Sequence, residues 1–493
     1  MAPAKQSATS LAASAKGTNK RRPTDNPDRS ISPPPLKRKA QSAISKSAVA
    51  SFFTPTSQKP KDRTTWTERS PNDDTPATLL VAKYTPEEAD QTVTARPPVK
   101  RRKIAAFDLD STLITSASGK VHAGDAVDWK WWHHSVSDRL RQLYNDEGQV
   151  NPPSSLHLAP LPPPTSPPYL VTIFTNQGGL TLHPDPKSKA PKSISARLPS
   201  FKQKCSTVLN QLNIPITLYA ATGKDIFRKP RMGMWSELKD DYDLAEEDID
   251  REHSIFVGDA GGRTITGSSS SHAPKDFSCS DRNLAENIGI KYQTPEEFFL
   301  GEEPRVWQRD FDLKDFPFPV EEEDEIRFGK KNDKEVVLFV GSPGAGKSTF
   351  FWKHLKELGY KRVNQDTLKS KEKCIKAAAD YLEEGDSVVV DNTNPDPDIR
   401  AQWIQFAAKH KVPIRCVWFK TPVRLCEHND AVRSMSKAMN PESRQALPKL
   451  AFNFFAARFK EPKVKEGFQD IFEVEFRFRG TREEYDIWGR YWL

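Results

Sequence analysis

Two short stretches of this sequence carry residues whose types and spacing suit phosphate chemistry. The first, KIAAFDLDST at 103–112, is an apolar run that ends in Asp108 and Asp110. Residues two apart on an extended segment point the same way, so both carboxylates are expected to face one ligand. One of them can act as a nucleophile and the other as a general acid or base. Because carboxylates and a phosphate repel one another, we expect both to lie beside a divalent metal ion such as Mg²⁺.

The second stretch, GSPGAGKS at 341–348, fits the phosphate-binding loop pattern G-x-x-x-x-G-K-[ST]. The apolar run EVVLFV precedes it, and the helical pattern TFFWKHLKELG follows. Glycines let backbone amides wrap the phosphates of a nucleotide such as ATP, while Lys347 reaches the β- and γ-phosphates and Ser348 faces Mg²⁺. The predicted nucleotide-binding residues of the loop are Gly341, Gly344, Gly346, Lys347, Ser348 and Thr349.

Two apolar runs after this loop end in acidic residues. GYKRVNQDTL places Asp366 nineteen residues after Lys347, and DSVVVDNTNPD continues into Asp391. Acids at strand ends beside a phosphate-binding loop suggest a general base or a metal-positioning carboxylate. Two plainer alternatives stay open, in which Asp366 caps the next helix and Asp391 belongs to an Asx-rich turn.

The elements that position these residues begin after a long polar segment. Of the 493 residues, 1–103 are rich in Ser, Thr, Pro, Lys and Arg, and this composition predicts a disordered tail. The tail carries a net charge of +11, so the other 390 residues carry about −3 and the basic pI says little about them. Five scattered cysteines without paired spacing argue against a disulfide framework or a zinc site. No apolar run is long enough for a membrane span.

Three basic clusters lie in this tail, at Lys20–Arg22, Lys37–Lys39 and Lys100–Lys103. Such clusters are typical of nuclear localisation signals or nucleic-acid patches, and the alternative is a solubilising tail. We therefore predict a nuclear protein.

The segment SAVASFFTP places Val49, Phe52 and Phe53 at a spacing that resembles the motif by which proteins dock on sliding clamps. The glutamine expected at the start of that motif is Lys46 here. A chance pair of phenylalanines in a disordered segment is the alternative.

The Asp108 motif resembles that of the haloacid dehalogenase-like phosphatases, and three further motifs of that family follow in order. They are FTNQGG, RKPRMGMW and FVGDAGGR. The resemblance implies that Asp108 attacks phosphorus, Asp110 protonates the leaving oxygen, and water releases the aspartyl-phosphate. It assigns phosphate contacts to Thr175 and Asn176, charge neutralisation to Lys229, and metal binding to Asp259. Asp281, in DFSCSDRNLA, is expected to add a second carboxylate.

Together the two halves resemble the bifunctional polynucleotide phosphatase/kinase family, through these strings and through VNQDTL and DNTNPD. The resemblance implies that Asp366 accepts the proton of a 5′-hydroxyl, Asp391 lies near the acceptor strand, and Arg433 contacts ATP. Phage relatives carry an arginine where this chain has Lys369, which receives no role. The forkhead-associated domain of animal members is not expected, since residues 1–103 are too polar for it.

We therefore predict an α/β protein: a disordered tail (1–103), a haloacid dehalogenase-like phosphatase with a Rossmann-like parallel sheet (104–310), an acidic linker (311–329) and a P-loop kinase (330–493). The expected function is the processing of DNA strand breaks, by removal of 3′-phosphates and phosphorylation of 5′-hydroxyls, in a monomeric enzyme. Two alternatives stay open, an RNA end-healing enzyme and a catalytically weak scaffold that binds ends. DNA-contacting residues are harder to predict. Candidates are the cluster Trp129, Trp131 and Trp132, and the basic residues Lys224, Arg228 and Arg231.

Overall fold

The computed structural model describes residues 63–87, 100–120, 125–145, 168–184, 196–265, 275–319, 328–436, 439–440 and 444–493. The first two basic clusters, the Val49/Phe52/Phe53 motif and the acidic run Glu321–Glu325 lie outside the described residues.

The strands are β1 (Thr64–Arg69), β2 (Leu79–Tyr84), β3 (Ile104–Phe107), β4 (Ile114–Thr115), β5 (Lys130–Trp131), β6 (Leu170–Asn176), β7 (Ile216–Ala221), β8 (Ile255–Val257), β9 (Lys291–Gln293), β10 (Val336–Val340), β11 (Lys361–Val363), β12 (Val388–Val390), β13 (Ile414–Phe419) and β14 (Ile471–Val474). The α-helices are α1 (Val136–Asn145), α2 (Arg197–Leu212), α3 (Gly233–Asp241), α4 (Ser280–Ile288), α5 (Lys347–Phe350), α6 (Gln365–Leu368), α7 (Lys371–Glu383), α8 (Pro397–Lys409), α9 (Val423–Met435), α10 (Lys449–Arg458) and α11 (Arg482–Trp488).

The first sheet, as far as the structure describes it, has seven strands in the order β1-β2-β7-β6-β3-β8-β9. From β7 to β9 all neighbours are parallel, and β3 lies between β6 and β8. The apolar run Ile104–Phe107 is buried on both faces, as expected for a central parallel strand. Helices α1 and α2 pack on one face, and α3 and α4 pack on the other. The fold is therefore a layered α/β domain with β3 at its centre.

The edge of this sheet corrects the prediction of disorder for part of the tail. Strands β1 and β2 form an antiparallel hairpin, and β2 pairs with β7. The segment LLVAKY of β2 buries five of its six residues. Arg69 of β1 also pairs with Glu237 and Asp241 on α3. The prediction was wrong for residues 64–84, because a composition averaged over 103 residues hides one short apolar strand.

The third basic cluster, predicted as part of a targeting or nucleic-acid patch, is built into the first domain. Lys100 and Arg102 both pair with Asp248, at 2.9 and 3.0 Å. Arg101 donates to two backbone carbonyls, and Lys103 is buried. These cations are therefore engaged by the fold.

The three tryptophans considered for base stacking pack partly buried against the core of the first sheet. This packing agrees with the more common structural role of a Trp cluster.

The second sheet is parallel throughout the described residues, in the order β11-β12-β10-β13-β14. Helices α7 and α8 cover one face, and α5 and α10 contribute to the core on the other. Strand β10 lies in the centre, so the loop that follows it opens at the carboxyl edge of the sheet, where ligands bind in open α/β folds.

Helices α9 and α11 pack against the segment that joins the two sheets. Phe311, Phe316 and Phe318 pack with residues of α9 and α11, including Leu425 and Trp488. The described part of the predicted linker is thus a packed segment. No helix among the described residues is long and apolar enough to cross a membrane.

Candidate active sites

The first site lies at the carboxyl ends of β3, β6 and β8. Asp108 directly follows β3, Thr175 and Asn176 end β6, and Asp259 lies two residues beyond β8. The Asp108 amide donates to the carbonyl oxygen of Val257 at 2.9 Å, which fixes the start of its loop. Parallel strands thus bring residues distant in sequence to one edge of the sheet.

Lys229 joins two of the predicted acids. Its Nζ lies 2.7 Å from Asp108 Oδ1 and 2.8 Å from Asp281 Oδ1, and it also donates to the Phe174 carbonyl oxygen at 2.8 Å. The lysine and both acids are buried. The two carboxylates come from different elements, β3 and α4, so this one ammonium group fixes their spacing.

Burial raises the pKa of Asp108 to about 6, against the opposing effect of the Lys229 charge. Burial also raises the pKa of Asp259 to about 8, and the charge of Asp108 adds to that shift. Burial alone would lower the pKa of Lys229, but Asp108 and Asp281 outweigh it and raise the pKa above its ordinary value. The site therefore holds more negative charge than its lysine balances.

The carboxylates of Asp108, Asp259 and Asp281 can hold a divalent cation. One oxygen from each lies within 4.8 Å of the others. Hard cations take carboxylate oxygens, and a positive ion here would relieve the charge that burial penalises. The residues present thus fit Mg²⁺.

Asp110 lies outside that group, although it was predicted among the metal ligands. Its side chain is 52% exposed and lies 3.7 Å from the ammonium group of Lys204. Gln177 Nε2 donates to Asp110 Oδ2 at 2.7 Å and to Thr175 Oγ1 at 3.0 Å. The position of Asp110 beside the site suits an acid that serves a leaving group at the surface.

Sequence reasoning missed Gln177 and Lys204. The first had a signal, because Gln177 lies two residues after Thr175 in the same motif. Lys204 is on α2 and comes close to Asp110 through tertiary packing, so no local pattern identifies it.

Asn176, predicted to bind substrate, is engaged with the backbone of Lys229. Its Oδ1 accepts from the Lys229 amide at 2.9 Å, and its Nδ2 donates to the Lys229 carbonyl at 3.2 Å. The side chain thus holds the turn from which Lys229 reaches Asp108.

The second site is built on the loop after β10. Gly344 and Gly346 have φ of +76° and +91°, which favour glycine, and a Cβ on Gly344 would collide with the carbonyl of Cys426. Lys347 Nζ donates to the carbonyl oxygens of Gly341 and Ser342, at 3.0 and 2.6 Å. Burial lowers the pKa of Lys347, against the opposing effect of the Asp391 charge.

Asp391 is hydrogen-bonded to Ser348, the residue predicted to face Mg²⁺. Ser348 Oγ donates to Asp391 Oδ2 at 2.9 Å. Arg362, which sequence reasoning missed, donates from Nε to the same oxygen at 2.7 Å and from Nη2 to Ser348 Oγ at 3.0 Å. Asp391 was predicted to contact the acceptor strand, and the structure places its carboxylate among the groups around Ser348.

A cavity of about 1020 Å³ opens over this loop. Its lining includes the predicted residues Lys347, Ser348, Thr349, Asp366, Asp391 and Arg433. Asp366 is exposed there, and the cap of α6 is Asn364, whose side chain accepts from the Thr367 amide. The alternative in which Asp366 caps that helix is therefore wrong.

Arg433 faces the cavity from α9. Its guanidinium pairs with the buried Asp430, which also accepts from the Leu447 amide at 2.8 Å. This contact holds the arginine at the cavity wall.

Fold and sites together define a class of two-domain enzyme, in which a haloacid dehalogenase-like phosphatase domain precedes a P-loop kinase domain. A family model described as polynucleotide kinase 3 phosphatase matches residues 103–299, and one described as AAA domain matches 336–376 and 369–462.

Two of the relatives cover about four fifths of this chain, and a third covers a smaller part. The bifunctional polynucleotide phosphatase/kinase of Schizosaccharomyces pombe is 38% identical over 395 residues, covering 80% of this chain and 84% of its own. A putative bifunctional polynucleotide phosphatase/kinase of Acanthamoeba polyphaga mimivirus is 30% identical, covering 79% and 88%. The polynucleotide 3′-phosphatase of Saccharomyces cerevisiae is 26% identical, and covers 40% of this chain and 87% of its own. The chain belongs to the bifunctional polynucleotide phosphatase/kinase family.

Proposed function

We propose that this enzyme prepares broken DNA strands for ligation, by removing 3′-phosphates at the first site and phosphorylating 5′-hydroxyls at the second. Ligation requires a 3′-hydroxyl and a 5′-phosphate, and damage often leaves the reverse. The observation that carries the proposal is the presence of both sites in one chain: a carboxylate group around Lys229 and a phosphate-binding loop under an open cavity.

In the phosphatase reaction, Asp108 attacks the phosphorus of the terminal phosphate. The bond to the 3′-oxygen breaks, and Asp110 gives that oxygen a proton. Water then cleaves the aspartyl-phosphate, with Asp110 taking a proton back, so inorganic phosphate leaves and both acids return to their first state. Gln177 and Lys204 hold Asp110 in place for both transfers.

Lys229 and the acids around it organise this reaction. Lys229 keeps Asp108 ionised and in position, and its charge offsets that of the incoming phosphate. Asp108, Asp259 and Asp281 would hold Mg²⁺. Such a cation shields the negative charges that meet there.

In the kinase reaction, Asp366 accepts the proton of the 5′-hydroxyl, whose oxygen takes the γ-phosphoryl group of ATP. Backbone amides of the loop and the Lys347 ammonium hold the phosphates. Asp391 and Arg362 fix the Ser348 hydroxyl, and Arg433 meets the phosphates from α9.

The tail is proposed to direct the monomeric enzyme to the nucleus through Lys20–Arg22 and Lys37–Lys39. Replacing both clusters by alanine in a fluorescent fusion should abolish nuclear accumulation, and retained accumulation would contradict the proposal.

The tail is also proposed to dock on a sliding clamp through Val49, Phe52 and Phe53. Phe52→Ala with Phe53→Ala should abolish clamp binding in solution. Light scattering at several concentrations tests for the monomer.

The choice of DNA is tested by matched strands with 3′-phosphate and 5′-hydroxyl ends, one series in DNA and one in RNA. We expect both reactions on DNA at the higher kcat/KM, and both to stop when Mg²⁺ is chelated and to return when it is restored. A large preference for RNA would replace the DNA proposal by RNA end healing. Tight binding of ends without turnover would replace it by the scaffold.

A further inference from the structure

The chain ends in a segment that leaves the kinase domain and lies against the phosphatase domain. We call residues 488–493 the C-terminal strap. Asn287, on α4, binds the backbone of Tyr491 twice: its Nδ2 donates to the Tyr491 carbonyl at 2.8 Å, and its Oδ1 accepts from the Tyr491 amide at 2.7 Å. Arg231 Nε donates to the Trp492 carbonyl at 3.0 Å. A fourth, longer hydrogen bond runs from Asn283 Nδ2, also on α4, to the Leu493 carbonyl at 3.5 Å. Four hydrogen bonds therefore fasten the strap to the first domain.

Two of the residues that hold the strap, Asn287 and Arg231, also hold elements of the phosphatase site. Asn287 Nδ2 donates to the Pro230 carbonyl at 2.8 Å, and Asn287 lies on the same helix as Asp281. Since Pro230 follows Lys229, this bond ties the helix of Asp281 to the turn of Lys229. Both hydrogens of the Asn287 amide are used, one on each side of the junction between the domains.

Arg231 closes the other side of that turn. Its Nη1 donates to the carbonyls of Lys224 and Asp225, at 2.9 and 2.7 Å, while its Nε reaches the strap. Arg231 was considered above as a contact for strand phosphates. Its guanidinium instead donates hydrogen bonds to backbone carbonyls, and burial lowers its pKa to about 10.

The opposite end of the strap contacts the kinase site. Trp488 Nε1 donates to Asn429 Oδ1 at 2.7 Å, and Asn429 Nδ2 donates to the carbonyl of Gly344, in the phosphate-binding loop, at 3.0 Å. The strap thus begins at the support of one active site and ends at the support of the other.

We propose that Tyr491 and Trp492 are positioning residues of the phosphatase reaction, although they belong to the kinase domain. Lys229 and Asp281 come from separate elements and meet at 2.8 Å. Asn287 and Arg231 join those elements through bonds that the strap completes. A misplacement of about 1 Å in a catalytic site can cost about 10²-fold in rate. Loss of the strap is therefore expected to lower phosphatase turnover without weakening substrate binding. The inference rests on the proposed 3′-phosphatase activity.

Two variants of the two-domain protein test it: a chain that ends at Arg490, which keeps Trp488, and Asn287→Ala. We expect each to lower the phosphatase kcat about ten-fold, with the KM for a 3′-phosphorylated strand and the kinase kcat within about two-fold of wild type. The matched control is Tyr485→Phe, which removes a 2.9 Å hydrogen bond between α11 and the carbonyl of Phe316 but leaves Asn287 alone. It should leave the phosphatase kcat unchanged.

Measurement of both activities on each preparation keeps the test decisive. A wild type with no 3′-phosphatase activity would overturn the proposed function itself. An active wild type with unimpaired variants would overturn the role of the strap alone. An equal fall in both activities with a lower melting temperature would also overturn it, since that pattern reports general destabilisation.

Discussion

The two active sites each bury a lysine, and the two lysines differ in what surrounds them. Lys229 of the phosphatase site lies between two carboxylates, Asp108 and Asp281, which raise its pKa. Lys347 of the kinase site donates to two neutral carbonyls of its own loop, and burial lowers its pKa. The Lys229 ammonium is thus paired with carboxylates of the fold, whereas the Lys347 ammonium is bonded to backbone carbonyl oxygens.

This difference matches the two tasks. The phosphatase takes a small terminal phosphate and supplies the nucleophile itself, so its charges can be arranged in advance within the fold. The kinase must admit two substrates, and its residues line a cavity of about 1020 Å³. Its lysine gains an anionic partner when a nucleotide binds. Preorganisation therefore dominates at the first site and ligand binding at the second.

Asp108→Asn should produce the largest effect and would break the charge arrangement of the phosphatase site. Asparagine is a poor nucleophile and leaves the buried Lys229 with one carboxylate fewer. We expect 3′-phosphatase kcat to fall at least about 10³-fold, with 5′-kinase kcat unchanged. Asp138→Asn, on the exposed side of α1, is the control. A phosphatase that survives Asp108→Asn would show that another group attacks phosphorus.

Asp366→Asn tests the kinase site in the same way. The amide cannot accept the 5′-hydroxyl proton, so kinase kcat should fall about 10²-fold while the KM for ATP stays within about two-fold. The exposed Asp398, on α8, gives a matched control as Asp398→Asn. An unchanged kinase kcat would exclude Asp366 as the base.

Arg362→Gln asks how far the kinase site is also preorganised. Arg362 bonds to both Asp391 and Ser348, and bonds to charged groups contribute about 1.5–3 kcal/mol. We expect kinase kcat/KM for ATP to fall about ten-fold and phosphatase kinetics to stay the same. Lys361→Gln changes the preceding residue of β11 and should have little effect. If Arg362→Gln behaved like that control, the arginine would not be required to position Ser348 and Asp391.

The smallest effect concerns pH. Burial lowers the pKa of His428 to about 4, so the folded protein keeps this imidazole neutral where the unfolded chain, with a pKa near 6.5, takes up a proton. Stability should therefore be full above pH 6.5 and fall as the pH drops toward 4, by at most about 3 kcal/mol. His428→Gln should remove that part of the pH dependence in thermal unfolding, whereas His410→Gln should not. If stability fell with pH equally steeply in wild type and His428→Gln, the assignment of this pH dependence to His428 would be contradicted.

Local strings allowed the central elements to be predicted. Asp108 follows its apolar run directly, and Lys347 follows its run after the glycine-rich loop, so strand, loop and functional residue lie in one continuous stretch in both cases. The functional residues that sequence analysis missed have a weaker local signal or none. Gln177 lay within a recognised motif but bears no charge, whereas Lys204 and Arg362 reach their sites only through tertiary packing.

Two errors arose for different reasons, one because composition is an average and one because a tertiary partner is not visible in the sequence. The strand LLVAKY was missed within a polar segment, although its six residues suffice for a strand that pairs with β1 on one side and β7 on the other. The basic cluster at 100–103 looked like a free patch, since a sequence does not display Asp248 as its partner. Likewise, nothing local links the last residues of the chain to the turn of Lys229.

The central claim is that two independent sites serve one break, and a single nicked DNA with a 3′-phosphate and a 5′-hydroxyl tests it most directly. Wild type, Asp108→Ala and Lys347→Ala would be compared with Mg²⁺ and labelled ATP, following phosphate release and 5′ labelling together. We predict that Asp108→Ala loses only phosphate release and that Lys347→Ala loses only labelling. Loss of both reactions in either variant, or a wild type that releases phosphate but never labels the 5′ end, would contradict the account.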